Sequence, residues 1–158
     1  MSNIEVYESV LQRPLVQQAI KLARHHHHGQ KYGGKDFVDA HLLTVLKTLV
    51  VDFGIVDEAT CLATILHDIL EDTGCQVQEI YDVFGLEVLE IVRYMTRYSK
   101  DDYDAYILKL VNNVSAFGKK ARDVKRADST VNMKQCIREG NVKLCQRYLK
   151  VLEILGEK

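Results

Sequence analysis

Apolar residues recur at helical spacing through most of the chain. In "LVQQAIKLARHHHH", Leu15, Ala19, Leu22 and Ala23 share one face, and Pro14, the single proline, suits a first helical turn, where a missing N–H costs nothing. The spacing predicts a helix over 14–28, interrupted by a short loop at Gly29, Gly33 and Gly34. "KDFVD" then leads into a second helix carrying Leu42, Val45, Leu46 and Leu49 and ending near Asp52 to Gly54. In "VDEATCLATILHDILEDTG", Ala59, Leu62, Ala63, Leu66 and Ile69 make one broad apolar face, and Gly74 offers a C-terminal stop. Further helices are predicted over 76–84, 86–96, 101–117, 120–137 and 141–155. Sustained period-2 alternation and internal repeats are lacking, so the expected fold class is all-α, a compact helical bundle.

Size and charge narrow the function classes. A chain of 158 residues fits one domain and can bury roughly 70% of the surface its unfolded form exposes. Lys and Arg number 21 against 22 Asp and Glu, a formal charge of −1, which argues against a surface for long nucleic acid but not against local binding of a small anion. No run approaches the roughly 18 apolar residues needed to cross a bilayer, and "MSNIEVYESV" lacks a basic start and an apolar signal core, so a soluble, cytoplasmic protein is expected. Cys61, Cys75, Cys136 and Cys145 show no CxxC spacing and read as buried or incidental thiols.

Chemistry concentrates in "LHDILEDT", residues 66 to 73. His67 and Glu71 are four apart, Asp68 and Glu71 three apart, and Asp68 and Asp72 four apart, so on a continuous helix all four share one sector. Three carboxylates beside an imidazole call for positive charge, either a cation or Arg and Lys partners. A solvated acidic helix end is the bland alternative, although the macrodipole favours acids at the other end; spacing alone leaves both readings open. Asp128 in "VKRADSTVNM" lies among Ala121, Val124, Ala127 and Val131 at core spacing. It is a candidate to meet His67 and Asp68 across the bundle, or else it pairs with Lys125 or Arg126 at the surface. His41 opens the apolar helix "VDAHLLTVL", where a lone histidine is more often a core or capping residue than a ligand. In "DDYDAY", residues 101 to 106, an aspartate is expected to cap a helix.

The order of these pieces carries a resemblance. "HxGQ", a His opening an apolar helix, "LHDxxEDT", "FG", and "VKxAD" with Asn four residues after its Asp resemble the HD-domain phosphohydrolase superfamily. The likeness is to guanosine tetraphosphate (alarmone) hydrolases of the RelA/SpoT type and their small single-domain relatives. It spans about 19–152 of a chain expected to be one domain over 1–158, and the pairing of "LHDxxEDT" with "VKxAD" is its specific part. The resemblance implies an all-α HD-type bundle with metal ligands at His41, His67, Asp68 and Asp128. It implies water activation and proton transfer by Glu71 and Asp72, and a nucleotide pocket lined by Asn132 and Lys125. Two imidazoles and two carboxylates suit a six-coordinate divalent ion with open positions, such as Mn²⁺.

The chain departs from that pattern before His41, where such hydrolases carry an Arg-Lys pair and "PYxxHP" but this chain reads "KYGGKDFVDAHL". Tyr32 and Gly33 fall at the basic pair; Lys31 and Lys35 are expected to replace its charge, or Tyr32 to stack on a base. "ADSTVN" alters a pocket wall after the last ligand. The expected activity is divalent-metal-dependent hydrolysis of the 3′-pyrophosphate of guanosine tetraphosphate or pentaphosphate. Alternatives are another nucleotide, such as a nucleoside monophosphate or a nicotinamide dinucleotide phosphate, or a nucleotide-binding module without turnover. Too little chain follows residue 155 for a synthetase domain, so hydrolysis alone is expected, and no pattern identifies an oligomer interface.

The run His25, His26, His27 and His28 is short and internal and continues the helix begun at Leu15, so neither a tag remnant nor a metal store is expected. Successive helix positions point about 100° apart, and the four rings cannot meet on one ion. Imidazoles at a helix C-terminus interact favourably with the last carbonyls. The resemblance makes His27 the HxGQ histidine, with a supporting role, and leaves the other three at the surface.

Overall fold

A computed structural model describes residues 1–98 and 102–156. Helix α1, Asn3–Leu11, is an element that the apolar periodicity does not announce. Its signal is a capping box: the Ser2 side chain accepts from the Glu5 amide while Glu5 reaches back to the Ser2 N–H. Helix α2, Pro14–His26, starts at the proline and buries Val16, Ala19 and Ala23. The loop expected next is a small antiparallel hairpin of β1, Lys31–Tyr32, and β2, Lys35–Asp36. Gly33 and Gly34, at φ 58° and 79°, form its two-residue turn, which needs positive φ at both positions.

Residues 38–52 form one continuous helix, α3, whose two ends, Val38–Leu42 and Thr48–Asp52, are wide π-type turns around a regular Leu43–Lys47 segment. The Leu43 amide donates to the Val38 carbonyl and the Phe53 amide to that of Thr48, five residues back in each case. His41 sits in the first wide turn. Helix α4, Glu58–Leu66, is capped by Asp57, whose carboxylate accepts from the Thr60 amide at 3.1 Å, and every residue from Thr60 to Leu66 is buried.

The single helix expected through 56–73 does not form. It breaks at His67 and Asp68 and resumes as α5, Ile69–Asp72. Asp68, at φ −100° and ψ −1°, occupies the sparsely populated bridge region where many active-site residues lie. Helix α6, Val77–Met95, bends at Gly85, which accounts for two separate predicted helices over 76–84 and 86–96. Gly85 has φ 88° and ψ 179°, a region essentially restricted to glycine. Gly85→Ala is expected to cost about 1–3 kcal/mol through backbone strain, since no atom lies within 4 Å of the added methyl. An unchanged urea unfolding midpoint would contradict this origin.

Helix α7, Tyr103–Asn112, is capped by Asp102 through the Ala105 amide, as expected for "DDYDAY", whereas Asp101 lies outside the described residues. The helix predicted over 101–117 therefore stops early, because Ser115 caps a new helix, α8, Ala116–Glu139. Gly140, in the left-handed region, closes α8, and α9, Val142–Gly156, packs back along it. The main core draws on α2, α3, α4, α6 and α8. Leu42, Leu46, Leu49, Leu62, Ile65, Leu66 and Ile69 are fully buried within it, each such side chain contributing roughly 1.5–3 kcal/mol. A second cluster, Tyr106, Ile107, Val151 and Leu155, joins α7 to α9. The architecture is all-α apart from the hairpin. All four cysteines are free thiols, and no helix among the described residues is long and apolar enough to cross a membrane.

Candidate metal centre and active site

Three helical segments deliver four ligand-type side chains to one point. His41 comes from the wide first turn of α3, His67 and Asp68 from the break between α4 and α5, and Asp128 from the middle of α8. Their donor atoms lie within 4.8 Å of one another. Asp128 Oδ1 stands 3.0 Å from His41 Nε2 and 3.2 Å from His67 Nε2, and Asp68 Oδ2 stands 3.1 Å from His67 Nε2 and 3.5 Å from His41 Nε2. The adjacent His67 and Asp68 stand at the break between α4 and α5, and both side chains reach the same point.

Hydrogen bonding fixes the orientation of His67. Its Nδ1 donates to the Thr64 carbonyl at 2.6 Å, so Nε2 is the nitrogen turned toward the carboxylates. Both imidazoles and Asp128 are buried. Burial opposes charge on His67, but Asp68 and Asp128 outweigh it and hold its pKa well above the ordinary 6.5. Burial alone would raise the Asp128 carboxyl; Lys125 first, then His67 and the hydrogen bonds from both imidazoles, hold it well below 3.8. Asp68 is depressed for the same reasons, with His67 foremost against its burial. Two carboxylates therefore stay ionised around two imidazoles, and a divalent cation would balance them in place of the imidazole protons. The N and O donor set fits such an ion.

Around this point the other predicted residues separate into two groups. Lys125 Nζ lies 3.2 Å from Asp128 Oδ2, so the lysine pairing foreseen for Asp128 exists together with the convergence on His67, and it is buried rather than at the surface. Asn132 donates to Asp128 Oδ1 at 3.3 Å and accepts from the Tyr32 hydroxyl at 2.8 Å. The Tyr32 ring packs on His41, with centroids 4.5 Å apart. Tyr32, Glu71, Lys125 and Asn132 line a cavity of about 240 Å³ together with His41, Asp68 and Asp128. Lys31 and Lys35 do not line it: the hairpin turns Tyr32 inward and leaves both lysines in solvent.

The two acids of "EDT" are held differently. Glu71 Oε1 accepts the Arg97 backbone N–H at 2.6 Å. Partial burial, and after it the charges of Asp68 and Asp72, raise the Glu71 pKa above 4.5, against the Arg97 hydrogen bond. Asp72 lies outside the cavity lining and accepts from Gln30 Nε2 at 3.0 Å. Gln30 in turn meets His27 Nδ1 at 2.7 Å, and the buried His27 ring packs on Phe37, which stacks on His41. The HxGQ segment thus ties Asp72 to the ring beneath a ligand-type histidine. His25 and His28 are exposed, but His26, expected at the surface, is half-buried with Nε2 3.0 Å from Glu79 Oε1. With Cys75 this pair makes a second group of metal-ligand types. However, Glu79 already caps α6 through the Gln76 amide, and burial followed by Glu79 pushes the Cys75 thiol up to about 12.

A family model described as an HD domain matches residues 19–147. The chain belongs to the HD-domain family. The GTP pyrophosphokinase rsh of Brucella melitensis is 31% identical over 102 residues, which cover 65% of this chain and 13% of that protein. Drosophila melanogaster MESH1, a guanosine-3′,5′-bis(diphosphate) 3′-pyrophosphohydrolase, is 28% identical over 94 residues, 60% of this chain and 52% of MESH1. The enzyme of that same name from Aquifex aeolicus is 34% identical over 89 residues, 56% of this chain and 12% of its own length. This HD domain therefore matches about half of MESH1 and a small part of the two longer relatives. Among solved structures, one described as a metazoan ortholog of SpoT that hydrolyzes ppGpp superposes with a TM-score of 0.74. That match covers 90% of this chain and 84% of the other at 20% identity, a likeness of fold.

Part of the cavity lining in this HD domain is cationic and aromatic, and no sequence spacing announced it. Arg97, Tyr103, Tyr106, Arg147 and Tyr148 reach it from the end of α6, from α7 and from α9. The basic residues beside tyrosines in "TRYSKDDYDAY" and "QRYL" were the available signal. It was too common a pattern to single out, because only the packing of α7 and α9 against α8 brings those segments together.

Proposed function

We propose that this HD domain is a divalent-metal-dependent nucleotide phosphohydrolase that removes the 3′-pyrophosphate of guanosine tetraphosphate or pentaphosphate. The observation that carries the reading is the convergence of His41, His67, Asp68 and Asp128 at one end of a cavity that also holds Glu71. The relatives named as 3′-pyrophosphohydrolases support the substrate. Residues 1–158 act as one HD-type unit, in the cytoplasm, on a small nucleotide and not on long nucleic acid. His41, His67, Asp68 and Asp128 hold the ion, most suitably Mn²⁺ for an N and O donor set with open positions. When bound, such an ion polarises a phosphoryl oxygen and makes a water more acidic.

The remaining steps belong to the chain itself. Glu71, with one oxygen held by the Arg97 amide, keeps the other for a water proton, and its raised pKa moves it toward the range where a general base works best. Asp72, tethered by Gln30, returns or relays the proton. Tyr32 and Asn132, bonded to each other, form the wall against which the nucleoside lies. The Arg-Lys pair missing before His41 is the feature that favours a second reading, a nicotinamide dinucleotide phosphate or a nucleoside monophosphate as substrate.

A nucleotide panel with Mn²⁺ decides between them. Pyrophosphate release from guanosine tetraphosphate, absent in Asp68→Ala, is the expected result, and phosphate release from another nucleotide would move the substrate assignment. No turnover of any nucleotide by folded, metal-loaded protein would leave the non-catalytic binding module as the surviving reading.

A further inference from the structure

Three cations meet at one tyrosine ring. The Arg147 guanidinium carbon lies 3.9 Å from the Tyr103 ring centre, that of Arg97 lies 5.3 Å away, and Lys125 Nζ lies 5.7 Å away. Lys125 is neutralised by Asp128, but neither Arg97 nor Arg147 has a carboxylate within 4.0 Å among the described residues. A chain of net charge −1 thus gathers, in the wall of the cavity that Asp68 and Asp128 also line, two guanidiniums with no carboxylate partner among the described residues. A single arginine on a tyrosine is an ordinary packing contact. Two arginines beside a buried lysine on the same ring repel one another, and an anion between them removes that repulsion.

The position of this cluster adds a second observation. Tyr103 and Arg147 also line a groove of about 760 Å³ between α7 and α9, and Arg97 and Glu71 also line a hollow of about 580 Å³ beside α6. The groove shares Arg147 with the cavity and the hollow shares Arg97 with it, so one arginine stands at each of these two borders. Guanidinium forks suit phosphate oxygens by paired hydrogen bonds, which an ammonium group cannot reproduce.

We infer that Arg97 and Arg147, held against Tyr103, form a clamp for the non-reacting phosphoryl group of a doubly phosphorylated nucleotide and so select such substrates over nucleoside monophosphates. The identity of the ligand rests on the phosphohydrolase reading; the clamp itself does not. Positive charge missing from the loop before His41 is thus supplied to the same cavity from α9 and from the segment after α6.

Two measurements test it on the full chain. In metal-free protein, calorimetric titration with inorganic pyrophosphate is expected to show binding that weakens about tenfold or more in Arg97→Ala and in Arg147→Ala. Arg147→Lys is expected to recover only part of it. In Mn²⁺-loaded protein, the same substitutions are expected to raise KM for guanosine tetraphosphate about tenfold with kcat within about threefold. The preference for it over guanosine monophosphate should fall to match. Circular dichroism of each variant establishes folding. Pyrophosphate affinity and KM both unmoved in folded variants overturn the clamp. Arginine-dependent pyrophosphate binding without turnover of any nucleotide keeps the clamp and removes the hydrolase reading. Turnover with unmoved KM and unmoved pyrophosphate affinity does the reverse.

Discussion

Glu71→Gln is expected to lower hydrolysis of guanosine tetraphosphate by about 10²- to 10⁴-fold while the protein still binds about one divalent ion per chain. The separation of the two effects follows from geometry. Glu71 lines the cavity but is not one of the four side chains whose donor atoms converge. Its Oε1 is occupied by the Arg97 amide, and a glutamine whose carbonyl oxygen takes that place keeps the hydrogen bond. What glutamine lacks is basicity: the carboxylate, with its pKa raised by partial burial and by Asp68 and Asp72, is the group to which the proposed function assigns the water proton. Asp68→Asn, by contrast, is expected to lose ion and turnover together, because Asp68 is one of the two carboxylates of the donor set. Elemental analysis beside single-turnover kinetics distinguishes the two. Equal ion loss in both variants would mean that Glu71 belongs among the ligands, and full activity in Glu71→Gln would remove it from proton transfer.

Asp128→Asn is expected to destabilise the metal-free protein by about 3–5 kcal/mol, the usual cost of leaving one partner of a buried ion pair alone. Lys125 and Asp128 are only 8% and 4% exposed, and their charged atoms lie 3.2 Å apart. Without the carboxylate, Lys125 keeps a buried charge beside two tyrosine rings, and His41 and His67 lose one of the two carboxylates they share. The sign with pH is determined by the depressed Asp128 pKa. Its contribution is fully present above the unfolded value of 3.8 and disappears as pH falls through the lower folded value, so the penalty is complete at neutral pH. Adding Lys125→Met to Asp128→Asn removes the orphaned charge and is expected to recover most of the stability but no turnover. Urea unfolding in the presence of a chelator measures both variants. A single variant within about 1 kcal/mol of the wild type would show that Lys125 does not depend on Asp128.

Much of the helical framework is legible from periodicity. The apolar faces of α2, α4 and α8 place Ala19, Ala23, Leu62, Leu66, Val124 and Ala127 in the core, and Gly85 divides α6 where the pattern divides. Leu15 and Leu22 of the predicted α2 face are only half-buried, and Val16 is buried instead. Helix α1 was hidden because it is short, buries Val10 alone and owes its start to the Ser2 and Glu5 cap. The run 101–117 is helix-compatible throughout, and only local capping at Ser115 stops it being one element. Such boundaries turn on single hydrogen bonds of about 1 kcal/mol, which average composition does not resolve.

The sequence by itself determined the all-α class, the residues His41, His67, Asp68 and Asp128 as a possible ligand set, and the HxGQ and EDT segments that stand beside them. The fold class is a short-range property, because the period of apolar positions decides which side chains share a face. The ligand set is what the resemblance implied from the order of the motifs, where spacing alone left it open. Only the tertiary structure decided that the helix breaks at His67 and Asp68, that Lys125 joins Asp128 in the interior, and that Arg97 and Arg147 meet at Tyr103. Those outcomes depend on which whole faces bury each other. Arg97 and Arg147 come to one ring because α7 and α9 cover α8, a long-range choice made by apolar area and not by the arginines themselves.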